Sequence, residues 1–378
     1  MYGKYLKICI PGGEFIMGLF NFFKKKESKN IISTDVPTVT TSINKIQEDI
    51  VPIEEKIRGK LPTCDSLYPH EILVLSYATK FMASENEFQK FWWYQYGIKD
   101  VQVILSKLEL NNFIEIGSIA DTVMNQKLNQ LKQILKTHGL KVNGKKEDIA
   151  QRVLENISLE ELNVLFPVKP YKLTQSGENL LKKYEWIPYI HKHNIDGLDI
   201  WNLTEMVQTP PYTNYRDKIW GYFNKIGIEY IQDGQFGLYR NIRFEMSEFL
   251  IEEHKDTSAF KLLCEVIAYD LSGLNNGFNI EHITMYYNFF YPFEKSIVTM
   301  APGITKRVEK MSSNFGWNEK ELFSALLQEL SDIQLPFSIF TPEEKVEIVI
   351  AEINNDTQKL EYIYNMSAKR IKKAHQII

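Results

Sequence analysis

The chain has 378 residues, 44% hydrophobic and 13% aromatic, with 44 basic and 48 acidic side chains that leave a formal net charge of −4. Length and apolar content suit two or three domains with cores of their own, while the mild negative charge excludes a protein that coats nucleic acid over its whole surface. Cys9, Cys64 and Cys264 are scattered without C-x-x-C spacing, which excludes a disulfide framework and a cysteine zinc site and implies a reducing, cytoplasmic setting.

Gly12-Gly13-Glu14-Phe15-Ile16 ahead of Met17 is what a ribosome-binding sequence would encode if translated in frame, so Met17 is the expected natural start and residues 1–16 lie outside the natural protein. Phe20, Phe22 and Phe23 precede three lysines, a combination able to touch an anionic membrane surface but too short to hold there alone. Phe22 stands where a myristoylation pattern needs Ser or Thr, and no run of about twenty apolar residues offers a membrane span. Residues 28–60, rich in Ser, Thr, Asn, Pro and charge, read as a linker. Residues 1–65 are thus expected to be a flexible N-terminal segment.

Pro69 suits the first turn of a helix with Ile72, Leu73, Leu75, Tyr77 and Phe81 as its apolar positions. Ser84 and Glu87 form a capping box for a second helix carrying Phe88, Phe91, Trp92 and Tyr94, stopped by Gly97. Large aromatics at that spacing belong in a core. Asp100 caps a third helix with Val101, Ile104, Leu105 and Leu108 on one face, and residues 113–116 then alternate like a strand.

The stretch 128–154 specifies structure most tightly. Leu128, Leu131, Ile134 and Leu135 recur at helical spacing beside Lys132 and Lys136. Gly139 occupies a left-handed cap position with Leu140 folding back behind it. Asn143-Gly144 turns the chain into a second helix with Ile149 and Val153 inward, Lys145 and Lys146 in its first turn and Arg152 further along. Between Asn125 and Glu155 seven basic residues face three acidic ones, which concentrates in one hairpin the positive field that the rest of the chain lacks.

The spacing L-K-x-x-L-K-x-x-G-L-x-x-x-G-x-K-x-x-I-x-x-R-V from Leu131 to Val153 resembles the SAP domain, a helix-extended-loop-helix module that binds DNA and sometimes RNA. The resemblance covers about residues 125–157, roughly a tenth of the chain. It implies that Gly144, Lys145 and Lys146 approach a duplex, with Lys132, Lys136 and Arg152 as phosphate contacts. The bland alternative is a solvated basic hairpin that docks to protein.

Beyond it, Ser158 and Glu161 start a short helix that ends before Pro167, residues 171–174 read as a strand, and a helix follows through Leu180, Leu181 and Tyr184. YKLTQSGENLL resembles the second wing strand and closing helix of winged-helix domains. A mainly α architecture is therefore expected: a winged-helix-like domain over residues 66–186, interrupted in its wing by the SAP hairpin, then an all-α domain over 197–378. The resemblance implies that the third helix could present Lys99, Gln102 and Lys107 to DNA, although Asp100 and Glu109 oppose them. Helices are expected near 198–207, 214–231, 239–254, 257–271, 280–290, 302–313, 318–331, 342–354 and 356–373. No fixed repeat emerges, and such helical arrays generally bind protein, either a partner or a second protomer.

Chemistry is sparse. The chain lacks a P-loop, a G-x-G-x-x-G after a strand, a G-x-S-x-G elbow and an H-E-x-x-H motif. His191 and His193 on an extended segment lack further metal ligands at suitable spacing, and Glu252-Glu253 and Glu343-Glu344 read as solvated faces. The sequence therefore predicts a non-catalytic protein without metal or cofactor, binding DNA or RNA through the hairpin, with a protein-interaction scaffold as the alternative. High usage of Ile, Lys, Asn and Tyr suggests an AT-rich bacterial or phage genome.

Overall fold

The computed structural model describes residues 50–85, 87–274 and 280–375. The expected start at Met17, the aromatic and basic segment behind it and residues 28–49 of the linker lie outside the described residues. Residues 50–60 do not form a linker. They carry a short helix, Ile53–Lys56 (α1), whose Ile53 is buried and donates its backbone N–H to the Gly97 carbonyl at 3.0 Å. Gly97 makes this approach feasible: its φ is +72°, and a side chain there would run into the Val51 carbonyl.

Helix α2, Pro69–Tyr77, begins on its proline and buries every residue from Pro69 to Leu75, so it runs through the core. The second expected helix is much shorter, Phe91–Tyr94 (α3). The backbone before it has other partners. Ala83 N–H donates to Lys169 O and Tyr171 N–H to Phe81 O, which holds residues 81–83 extended beside 169–171, while Glu85 caps the Met82 N–H at 3.0 Å. Trp92 is nevertheless buried as expected of the aromatic cluster, edge-on to Tyr77.

Helix α4, Val101–Leu110, starts where the Asp100 carboxylate accepts from Gln102 N–H. It leads into β1, Ile114–Ile116. Four helices follow before the chain returns: α5 (Ile119–Asn125), α6 (Leu128–Thr137), α7 (Lys146–Asn156) and α8 (Leu159–Leu165). Strand β2, Tyr171–Leu173, then pairs antiparallel with β1, Ile114 opposite Leu173 and Ile116 opposite Tyr171. Helix α9, Gln175–Lys183, is capped by Thr174 and closes tightly over the ribbon, because Gly177 lies against the Phe113 carbonyl.

Residues 186–193, not foreseen as a helix, form α10 (Trp186–His193). Its two histidines diverge. His191 bridges the Tyr77 and Tyr96 hydroxyls at 2.8 and 2.6 Å, whereas His193 meets Glu252 at 2.6 Å. The remaining helices fall within a few residues of expectation: α11 (Ile200–Gln208), α12 (Tyr215–Gln232), α13 (Phe236–Glu252), α14 (Asp256–Asp270), α15 (Ile283–Phe290), α16 (Pro302–Phe315), α17 (Glu319–Asp332), α18 (Pro342–Ile353) and α19 (Thr357–Ala374). Thr341 and Asn318 cap α18 and α17 as their sequences indicate. The protein is mainly α, with one small two-stranded sheet among the described residues.

Glu252, Glu253 and Glu344 are not merely solvated. Arg216 bridges Glu252 and Glu253 with its guanidinium 3.9 Å from the Phe249 ring, and Arg370 forks onto Glu344 at 2.6 Å. Apart from a small cluster of Tyr239, Tyr269 and Leu274, buried side chains from α1 to β1 and from β2 to α19 share one continuous apolar core, while α5 to α8 gather around a second, separate one.

Candidate nucleic-acid interface

The second core is small: Val123 from α5, Leu131 and Leu135 from α6, Ile149, Ala150 and Val153 from α7, Ile157, and Leu162 and Phe166 around α8. The basic hairpin is thus closed on both sides by helices. Ser118 and Asp121 make a reciprocal capping box that starts α5, and their i, i+3 spacing is the sequence signal for this helix. Ser118 and Ser158 each cap with a hydroxyl, so α5 and α8 enter the core at fixed points.

Burying Leu131 and Leu135 turns Lys132 and Lys136 to the flank of α6, one turn apart. Gly139 ends the helix with φ +69°, and Leu140 N–H returns to the Leu135 carbonyl at 2.8 Å. The extended loop that follows is held by Arg152, whose Nη1 donates to the carbonyls of Lys141 at 2.7 Å and Asn143 at 3.2 Å. The arginine expected on phosphate therefore shapes the loop. Gly144, at φ +139°, turns the chain over Asp148.

Lys145 sits at the N-cap of α7, so the cap side chain offers no acceptor to the first helical amides. Those N–H groups, the positive end of the helix dipole and the ammonium groups of Lys145 and Lys146 point to the same chemistry, attraction of an anion. The Asp148 carboxylate accepts from Lys145 N–H at 3.1 Å and, with Glu147, moderates that field. No ion pair among the described residues involves Lys127, Lys132, Lys136, Lys141, Lys145 or Lys146. His138, at the end of α6, reaches Glu161 of α8 at 2.9 Å, and its pKa is raised by the Ile134 carbonyl on Nδ1 and by Glu161.

The three candidates, Lys99 ahead of α4 and Gln102 and Lys107 on it, are differently placed. Lys99 is exposed, 5.3 Å from the Trp93 ring. Gln102 turns toward the ribbon and donates to the Tyr171 hydroxyl at 3.0 Å, and Lys107 pairs with Glu71 at 2.6 Å. They do not form one free basic face. A polar cleft of about 410 Å³ opens elsewhere, between Lys56, Tyr96, His191, Asp199 and Trp201. Among the described residues no three His, Cys, Asp or Glu side chains gather as metal ligands, and no helix is long and apolar enough to cross a membrane.

The SAP domain family model matches residues 122–158, from within α5 to the Ser158 cap of α8. The chain thus contains a SAP domain, generally a DNA-binding motif, in the segment whose lysines make no ion pair among the described residues. No curated protein and no solved structure shows a significant match to the chain.

Proposed function

We propose that this is a non-catalytic protein that grips the phosphate backbone of double-stranded DNA with its SAP hairpin. The observation that carries the reading is the coincidence of the matched segment with a glycine-turned corner where Lys145 and Lys146 open α7, a helix start whose cap side chain is a cation rather than an acceptor. Lys132 and Lys136 extend the positive strip along α6. The order α2, α3, α4, β1, β2, α9 supports a winged-helix-like host whose wing is interrupted by the module. In this reading the helices from α11 onward recruit a protein partner or a second copy, in the cytoplasm of a bacterium or a phage-infected cell.

The test is fluorescence anisotropy of the full chain on a labelled duplex at about 50 and 200 mM salt. If about four phosphates are neutralised, affinity falls by roughly two orders of magnitude between those salts. The Lys145→Glu, Lys146→Glu variant should lose most of the binding while keeping the wild-type melting curve. A folded wild type that ignores the duplex at the lower salt would refute the reading. A second reading, a protein-docking module, is favoured by the exposed Leu159, Val164 and Leu165 of α8. It predicts that a protein co-purifies through α8 in the absence of DNA affinity.

A further inference from the structure

Helix α19 has an outer face that the core does not explain. Leu360, Ile363, Tyr364, Ser367, Ala368 and Ile371 point inward and are buried. Helical spacing then places Tyr362, Asn365, Met366, Lys369, Lys372 and Lys373 together on the opposite side. All six are exposed, Tyr362 by 59% and Met366 by 44%. Arg370, on the flank, is occupied by Glu344 and the Ile339 carbonyl. No ion pair among the described residues involves Lys369, Lys372 or Lys373, and residues 362–375 contain no acidic side chain. Glu361, at the edge of the face, is the nearest acidic residue in the helix.

Lysines in a last helical turn oppose the helix dipole, which accounts for Lys372 and Lys373. It does not account for a methionine and an exposed aromatic ring about two and three turns earlier on the same stripe, the ring having Lys359 Nζ 5.9 Å from its centroid as a further cation beside it. We infer that this face is a second nucleic-acid surface, one that takes a single-stranded segment: the three lysines on its phosphates, the Tyr362 ring stacked on an unpaired base. Stacking tolerates any base because every base has a π-face, and a basic track beside an aromatic platform is the arrangement it needs. An interfacial membrane helix would instead present a broad aliphatic face to lipid. Here the aliphatic side is already committed to the protein core, and Asn365 lies between Tyr362 and Lys369. The inference rests on the proposed nucleic-acid function but on different residues.

The experiment compares a blunt labelled duplex with the same duplex carrying an overhang of about ten nucleotides, within the usual reach of a single-strand site. Anisotropy is measured with the full chain, a Lys369→Gln, Lys372→Gln, Lys373→Gln variant, Tyr362→Ala and the Lys145→Glu, Lys146→Glu variant. All these side chains lie on the surface, and unchanged circular-dichroism melts establish that each variant is folded. Wild type should prefer the overhang. Tyr362→Ala should reduce overhang affinity about fivefold or more and leave the blunt duplex unaffected. The triple variant should lower the slope of log affinity against log salt by about two on the overhang substrate.

Variants of α19 that bind both substrates like wild type would overturn the inference while the hairpin reading stands, provided the Lys145, Lys146 variant is impaired. The reverse pattern would remove the hairpin and leave α19 as the nucleic-acid surface. A wild type that binds neither substrate overturns both. Loss of co-sedimentation with phosphatidylserine vesicles in the triple variant, with DNA binding unchanged, would overturn it in favour of a membrane surface.

Discussion

His70 gives the sharpest energetic prediction. It is the second residue of α2, 4% exposed, stacked on Tyr68, and its Nδ1 is buried without a hydrogen-bond partner among the described residues. Burial, with a smaller contribution from the nearby Lys107 ammonium, lowers its pKa from 6.5 to about 3. Between those values the unfolded chain binds a proton that the folded chain refuses. The associated stability is therefore complete above pH 6.5 and lost as pH falls toward about 3, at about 1.4 kcal/mol per pH unit. From pH 7.5 to 5 this one side chain should withdraw about 2 kcal/mol. His70→Leu removes the titration and the orphaned nitrogen together. Urea unfolding of both proteins at the two pH values isolates the term, because carboxylates common to both cancel in the difference. The variant should lose about 2 kcal/mol less than wild type over that interval. Parallel losses would refute the claim that His70 is held neutral, and hence that α2 is dry at its start.

Arg152→Lys keeps the charge but loses the fork on the Lys141 and Asn143 carbonyls. It should destabilise the hairpin by about 1 to 2 kcal/mol, seen as faster amide exchange in α6 and α7, with the salt slope of DNA binding unchanged. Gly177→Ala drives a methyl into the Phe113 carbonyl and should cost about 2 kcal/mol or more in a thermal or urea melt; a loss below about 0.5 would mean that the ribbon yields there. His138 has its pKa raised above 6.5, first by the Ile134 carbonyl and then by Glu161. Its contribution to joining α6 and α8 is present below 6.5 and lost as pH rises through the folded value. Glu161→Gln should move the NMR titration of His138 down without returning it fully to 6.5, and an unmoved midpoint would sink the assignment.

The helices announced themselves wherever a cap, a helical stripe and a stop agreed. Thr174, expected to end a strand, caps α9, whereas Asp100, Ser158, Asn318 and Thr341 each cap the helix their position suggested. Ser84 did not, because residues 81–83 are engaged by 169–171 nearly ninety positions away, a partnership that no local pattern records. Residues 186–193 do not read as a helix because α10 is short and aromatic, and the partners of His191, Tyr77 and Tyr96, lie about a hundred positions away. In the hairpin, the apolar positions and both glycines were readable, but the commitment of Arg152 to the loop was not. Charge shows in sequence, whereas what a guanidinium is already holding shows only in space.

The ribbon that brackets the module has a topological consequence. Gly117 N–H donates to the Pro170 carbonyl at 2.8 Å, one step beyond the β1–β2 ladder, so the chain leaves and re-enters the host at nearly the same point. To the host, everything between is one closed loop of about fifty residues, and closing so long a loop costs about 3 kcal/mol more than a two-residue turn if the loop is slack. A folded insert brings its own ends together and removes much of that penalty. Excision should therefore be permissible: a tight turn joining Gly117 to Pro170 would leave the pairing of β1 with β2 intact, and the same gap could accept other self-closing cassettes.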